Sequence, residues 1–378
     1  MKRNRIVLFS FAILMLLLSA CTSSESKTIK IAVMGNPDTF YPCFQEGIRR
    51  AVGELNDEYA DSGYSVECVF VGGDSYEDSV ALIDTLAADP SVTAMIGAVE
   101  MDVNQTAAEV CERSQKLMVV PYVLNDSVYT ANHYTMVFSM ANSGRYIGQT
   151  LRIAARESGK TRWVLCAENR EFELEEVRGF LQSGGEDGIR VVDCVNITTL
   201  QNHFDETCTR WETLGVEGVI LFPEGSEGFE LLKKLKSRNP DWIFGGDSAF
   251  DDSTLICTDA ELAEAMTDFI LVPEFSDDED QMSQEQMDHV IALEREYYER
   301  TGSDIDTWFF QGYNAVRMIC DTAVQNQVTD PVKIAQLLHQ DGYCGLLSPL
   351  NFDDDGQLIV DTYYYVVFVG DEIPDDLG

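Results

Sequence analysis

"VFVGGDSYEDSVALIDTLAADPSVTAMIG", residues 69–97, carries the architecture of the chain in miniature. An apolar run that starts at "YSVEC" gives way to a Gly-Gly-Asp-Ser turn, then to the helical segment "YEDSVALIDTLAADP", then to a second apolar run, "VTAMIGAV". Strands that are apolar on both faces and joined through a helix belong to a parallel sheet covered on both sides. The same alternation runs before and after it. "IKIAVMG" reads as a strand and "PCFQEGIRRAVGELNDEYADSG" as a helix upstream; "NQTAAEVCERSQ" and "KLMVVPYV" follow as helix and strand, completing four strands and three helices of one doubly wound lobe.

After "YTMVFSMANS" the pattern restarts. Helices "GRYIGQTLRIAARESG", "ELEEVRGFLQSGG", "HFDETCTRWETLG" and "GFELLKKLKSRNP" alternate with strands "TRWVLCAE", "IRVVDCVNI", "VEGVILFP" and "DWIFGGD", a second doubly wound lobe. An acidic, irregular stretch, "SDDEDQMSQEQ", precedes two long helical patterns at 287–301 and 307–326, and strands around "LNFDDDGQLIVDTYYYVVFVG" close the chain. The expected fold class is α/β, with two Rossmann-like lobes. A length of 378 residues agrees, since one ordinary core serves about 100 to 200 residues. Ligands of such sheets bind outside the carboxyl ends of the strands, and the cleft between two lobes is the default site. "IGAVEMD", residues 96–102, stands at one such strand end, where Glu100 and Asp102 are either a solvated rim or a wall of the site.

The first twenty residues form an export signal: Lys2, Arg3 and Arg5 precede the apolar run "IVLFSFAILMLLLSA", which is shorter than the roughly 20 residues of a spanning helix. "LSAC" resembles the lipobox of bacterial lipoproteins, which makes Cys21 the expected lipidation site and gives a membrane attachment through lipid; a plain signal peptide is the alternative. "TSSESKT" reads as a polar tether, so that the expected segments are signal 1–20 and tether 21–28. Without the signal, 23 basic residues face 65 acidic ones, a net charge of −42. Such a surface excludes nucleic acid as a partner, because phosphate contacts need basic groups. Nine further cysteines, an odd number with no CxxC pair, read mostly as buried free thiols.

The usual enzymatic signatures are missing. The chain has no GxSxG elbow, HExxH, P-loop or GxGxxG. His133, His203, His289 and His339 are not spaced as metal ligands and read as surface imidazoles. "NFDDDGQ" lacks the ligand spacing and distal Glu of an EF-hand and reads as a turn. No cofactor is expected.

In this setting the chain resembles the type I periplasmic binding proteins, specifically the branched-chain amino acid transporter substrate-binding family. The match is carried by "FYPCFQEGIRRAVGELN", by residues 69–97, by "TWFFQGYNAVRMICDTAV" and by "YCGLLSPLNFDDDGQ", in that order. The resemblance implies a three-crossing hinge near 138–142, 270–276 and 340–344, with lobe 1 formed by 29–140 plus 276–341 and lobe 2 by 141–275 plus 342–378. It implies capture of a small molecule between the lobes and its delivery to an ABC permease, by a monomer without catalysis. Serine and threonine, which hold a ligand carboxylate in the family's amino acid binders, are replaced here by Met101 and Leu124, and Glu100 and Asp102 add negative charge beside them. Phe172 falls at the covering aromatic, Asp247 at the acid that holds the ligand ammonium, and Glu224 where a tyrosine is common; Phe40 and Tyr41 match the capping aromatic, and Tyr122 is grouped with the ligand-binding residues. Aromatic walls with acids and no hydroxyl pair suit a cationic or polyhydroxylated ligand. A sensor lipoprotein for a receptor kinase and an exported enzyme on the same fold are the alternatives.

Overall fold

The computed structural model describes residues 27–35, 42–73, 75–97, 101–121, 132–182, 187–223, 227–273, 282–360, 363 and 365–368. The first lobe opens with β1 (Lys27–Met34), α1 (Pro42–Glu58), β2 (Tyr64–Val71), α2 (Tyr76–Ala88), β3 (Ala94–Ile96), α3 (Met101–Ser114), β4 (Leu117–Val120) and β5 (Val137–Ser139). Its sheet has the order β2-β1-β3-β4-β5, parallel throughout. The second lobe contains α4 (Gly144–Glu157), β6 (Arg162–Ala167), α5 (Glu171–Gln182), β7 (Arg190–Asn196), α6 (Ile197–Asn202), α7 (Phe204–Leu214), β8 (Gly218–Phe222), α8 (Glu227–Arg238), β9 (Ile243–Gly246), α9 (Ser253–Thr258), α10 (Ala260–Met266) and β10 (Ile270–Leu271). Its sheet runs β7-β6-β8-β9-β10, the same winding, and β14 (Val366–Val367) joins β10 antiparallel at the edge. In both sheets the winding reverses beside the first strand, between β1 and β3 and between β6 and β8, the place where open α/β sheets leave a crevice. The expected fold class is the one found.

Burial explains why those runs are strands. In β6, Trp163 and Leu165 enter one core with α4, while Val164 and Cys166 enter another with α7 and α8, so each face of the sheet is covered. Two helix pairs then lock the lobes. A Cβ at Gly47 of α1 would lie 2.0 Å from the Phe309 carbonyl oxygen, and one at Gly312 would lie 2.3 Å from that of Phe44. In the second lobe, a Cβ at Gly148 of α4 would lie 1.9 Å from the Glu176 carbonyl oxygen, and one at Gly179 of α5 would lie 2.2 Å from that of Arg145. Only glycine lets the backbones approach this closely.

After the second lobe the chain returns to the first with α11 (Gln284–Thr301), α12 (Thr307–Gln325) and α13 (Pro331–Asp341). Ser283 and Gln286 form a capping box that starts α11, so the acidic stretch turns helical earlier than its composition implied. Helices α6, α9, α10 and α13 are not among those the sequence pattern predicts; α13 carries its own signal, Asp330 as N-cap followed by Pro331. β1 also starts at Lys27, inside the expected tether.

The third crossing differs from the expectation. β11 (Tyr343–Cys344), β12 (Pro349–Phe352) and β13 (Leu358–Ile359) form a small antiparallel sheet that packs on the first lobe: Leu347, Leu350 and Phe352 are buried in its core, and the Ser139 N–H donates to the Gly356 carbonyl at 2.9 Å. The chain re-enters the second lobe only after Ile359, not at 340–344, because the apolar side chains of β12 find their cover against Phe138 and α13. Between the first two crossings, the Asn142 side chain donates to the Pro273 carbonyl at 3.5 Å.

The nine described cysteines are all free, four of them buried. His133 and His203 are exposed, as expected, but His289 and His339 are half-buried. His339 contacts the Asp353 and Thr135 carbonyl oxygens at 3.0 and 3.1 Å and stacks at a tilt on Phe138, which makes it a tie between α13, the 353–356 turn and β5. "NFDDDGQ" is the expected turn, with Asp353 accepting the Asp355 and Gln357 N–H groups at 2.9 Å. Among the described residues no helix is long and apolar enough to cross a membrane.

Candidate functional site

The carboxyl edge of the second sheet gathers an unusual set of acids. β9 ends in "FGGD": a Cβ at Gly246 would lie 2.6 Å from the Phe250 ring, so that glycine lets the chain fold back at once into a short turn, Ser248–Phe250. Asp247 caps that turn, its Oδ1 accepting the Ala249 N–H at 3.1 Å, and is only 5 % exposed. Facing it is α5, which begins four residues beyond β6. Phe172, Glu176, Gly179 and Phe180 lie at i, i+4, i+7 and i+8, the stripe a helix buries. Glu176 sits mid-stripe and is fully buried; Glu173, on the same side of the helix, is 1 % exposed.

Cations of the neighbourhood are engaged with other acids. Arg170 is hydrogen-bonded to Glu173, and Arg145 and Arg178 pair with Glu175 at 3.5 and 2.6 Å. Neither oxygen of Glu176 has a hydrogen-bond partner among the described residues. Burial, reinforced by the Asp247 charge, pushes the Glu176 carboxyl well above its usual range. Burial also pushes Asp247 up to about 6, against the Ala249 N–H, which acts to lower it. Two buried carboxyls in one place cannot both ionise cheaply.

A stability measurement checks this. Asp247 ionises near 3.8 in the unfolded chain and near 6 in the native one, so the native state binds more protons in between and stability falls as pH rises. Measured against Asp247→Asn, which keeps a capping side chain, the ligand-free protein should lose on the order of 2–3 kcal/mol between pH 4 and 7 in chemical denaturation. A flat or rising difference would contradict the buried acid.

Of the residues expected at the site, Asp247 is where a strand-end acid belongs. Phe172 is half-buried in the first turn of α5, with its ring and carbonyl against Gly144 of α4. Asp102 is exposed in the first turn of α3, and Met101 opens that helix. Cys21, Phe40, Tyr41, Glu100, Tyr122, Leu124 and Glu224 lie outside the described residues, as does the Met101 side chain. Glu173 and Glu176 had been read only as part of a helix. Their signal was available: an acid in the middle of an apolar helical stripe is out of place unless it has work there.

With this architecture established, the comparisons are specific. A profile of the family described as "Periplasmic binding protein" matches residues 31–371. The chain belongs to that family. The family is one of extracytoplasmic binding proteins. Among solved structures, this periplasmic binding protein is similar to an ABC transporter substrate-binding protein from Desulfitobacterium hafniense in complex with Leu, at 20% identity over 90% of this chain and 100% of that one, TM-score 0.75. It is also similar to the branched-chain amino acid binding protein LivJ from Streptococcus pneumoniae in complex with isoleucine (15% identity, 88% and 94% covered, TM-score 0.68). A solute binding protein from R. palustris in complex with benzoate shares the fold too (16% identity, 90% and 96% covered, TM-score 0.68). No curated protein matches the chain.

Proposed function

We propose that this periplasmic binding protein captures a small cationic or polyhydroxylated solute between its lobes and delivers it to an ABC permease, held at the membrane by lipid on Cys21. The supporting observation is Asp247, an acid only 5 % exposed at a strand end, in a lobe whose facing helix buries two more acids, Glu173 and Glu176: a site so rich in carboxyls favours a ligand that brings a positive charge. The solved relatives named above hold leucine, isoleucine and benzoate, each bearing a carboxylate. In this chain Met101 and Leu124 replace the hydroxyls that the family uses for that group, and Glu100 and Asp102 oppose it. Phe40, Tyr41, Tyr122, Phe172 and Glu224 complete the proposed wall, with Asp247 as the contact for the cation.

A thermal-shift panel of amines, polyols, leucine and benzoate tests the reading. Saturable stabilisation by a cationic or polyhydroxylated solute, recovered unaltered, is the expected result; a ligand at 100 times its Kd adds about 2.7 kcal/mol to stability. For a cationic solute found this way, Asp247→Ala should weaken affinity about tenfold or more by calorimetry, since a hydrogen bond to a charged group is worth about 1.5–3 kcal/mol. Stabilisation by leucine or benzoate alone would sink the ligand class, and turnover of the bound solute would restore the enzyme alternative.

A further inference from the structure

We propose that His339 and His133 make the 353–356 turn a proton-gated clasp on the first lobe: with the imidazoles protonated the turn is held from both sides, and loss of a proton from His339 breaks one of its two ties. The geometry of His339 carries this. Its Nδ1 lies 3.0 Å from the Asp353 carbonyl oxygen, and its Nε2 lies 3.1 Å from that of Thr135. A backbone carbonyl only accepts, so both contacts are hydrogen bonds only when both ring nitrogens carry a proton, which is the imidazolium form. A neutral ring has one N–H; its other nitrogen then turns a lone pair toward a carbonyl oxygen, and that tie is lost. The tilted stack on Phe138, with centroids 4.6 Å apart, keeps the ring between the two carbonyls.

The same turn is gripped a second time. His133, whose backbone is left-handed at φ +50°, places Nδ1 2.9 Å from Asp355 Oδ1. That pair is exposed and adds little by itself, so His339 is the main tie. A third contact reports on both: the Ser139 N–H donates to the Gly356 carbonyl at 2.9 Å, and a Cβ at Gly356 would lie 1.9 Å from the Val137 carbonyl oxygen, so the turn lies directly on β5. Ser139 ends β5, which runs into the first crossing, and β13, which follows the turn, runs into the third. The clasp therefore sits where two crossings leave the first lobe, in a member of a family whose proteins meet the pH outside the cytoplasm directly. Among the described residues, the charged groups of the elements around His339 are mostly acids. Glu112 of α3 accepts the Thr135 and Met136 N–H groups at 2.8 Å, Asp353 accepts those of Asp355 and Gln357 at 2.9 Å, and Asp354 and Asp341 are exposed. Arg317 and Asp321 of α12 are paired at 3.1 Å, Lys333 of α13 is exposed, and β4, β5 and β12 carry no charge.

Native-state hydrogen exchange of the full chain at about pH 5 and about pH 8, on either side of the range in which histidines change charge, tests this. The Ser139 amide reads the clasp; the Gly97 amide, bonded to the Val119 carbonyl in the same lobe, is the reference. The engaged form is the cation, so protection belongs to the acid side and is lost as pH rises. Relative to Gly97, Ser139 protection should fall about tenfold or more between the two conditions, the change that one hydrogen bond to a charged group corresponds to. His339→Gln, which has no charge to lose, should show the lower protection under both conditions, and His133→Gln should keep most of the wild-type change. Flat or rising protection in the wild type overturns the proposal, and so does a wild-type pH dependence that survives in His339→Gln. If His339→Gln does not fold, imidazole nitrogen NMR shifts of the wild type decide. Two N–H groups on His339 on the acid side and one on the alkaline side, the second lost in step with Ser139 protection, support the clasp. A His339 ring that is neutral on the acid side, or one that loses its proton with no change at Ser139, ends it.

Discussion

Gly148→Ala is expected to destabilise the protein by about 3 kcal/mol, the upper end of the usual overpacking range. The added methyl would lie 1.9 Å from the Glu176 carbonyl oxygen and 2.7 Å from the Phe180 nitrogen. Both are backbone atoms of a packed helix, so no side chain can swing aside; α4 and α5 must separate, and the interface that holds Glu176 opens with them. Gly53→Ala is the matched control. That glycine is exposed in α1 with nothing within 4 Å of a new Cβ, and alanine there should stabilise by about 1 kcal/mol through helix propensity alone. Urea denaturation of the two variants should therefore give effects of opposite sign from the same chemical change. Equal effects would show that the helix contact is looser than its geometry.

Asp321→Ala should be as damaging in the first lobe, at about 3–5 kcal/mol. Asp321 is 7 % exposed and accepts from the Tyr59 hydroxyl at 2.5 Å, the Tyr343 hydroxyl at 2.9 Å and Arg317 Nε at 3.1 Å. Alanine leaves two inward hydroxyls without that acceptor and takes one of two acids from Arg317, which would keep Glu58 at 2.8 Å. Because Tyr343 begins β11, the loss also loosens the small sheet from α12. Asp321→Asn, which still accepts through its amide oxygen, should recover part of the loss in the same denaturation experiment. Full wild-type stability in Asp321→Ala would show that the network contributes nothing.

Much of the fold was legible because buried parallel strands and their crossover helices leave patterns that depend only on neighbours in sequence. Residues 69–97 held such a unit, and the strand and helix found there, β2 and α2 with β3 after them, follow it closely. The partner of β12 was not legible. Its alternating apolar residues announce a strand with one covered face, yet nothing local says which lobe supplies the cover, and the ring that meets Phe352, that of Phe138, comes from a distant part of the chain.

The site divides in the same way. Asp247 was identified from its position after a strand and from resemblance, and it stands at that strand end. Glu173 and Glu176 passed as ordinary helical acids. Helical spacing puts Glu176 in line with Phe172, Gly179 and Phe180, but whether that line faces water or a second helix is set by the close approach of α4 at Gly148.

Sequence by itself determined the α/β class, the repeated winding of two lobes, the acid at the end of β9 and the absence of familiar catalytic motifs, because each is written in local hydrophobic periodicity or in residue identity. Only the tertiary structure decided where residues 343–358 pack, that His339 ties three segments together, and that Glu176 and Asp247 are both buried. Those are contacts between segments far apart in the chain, and burial, which sets the protonation of an acid, exists only once such segments have come together.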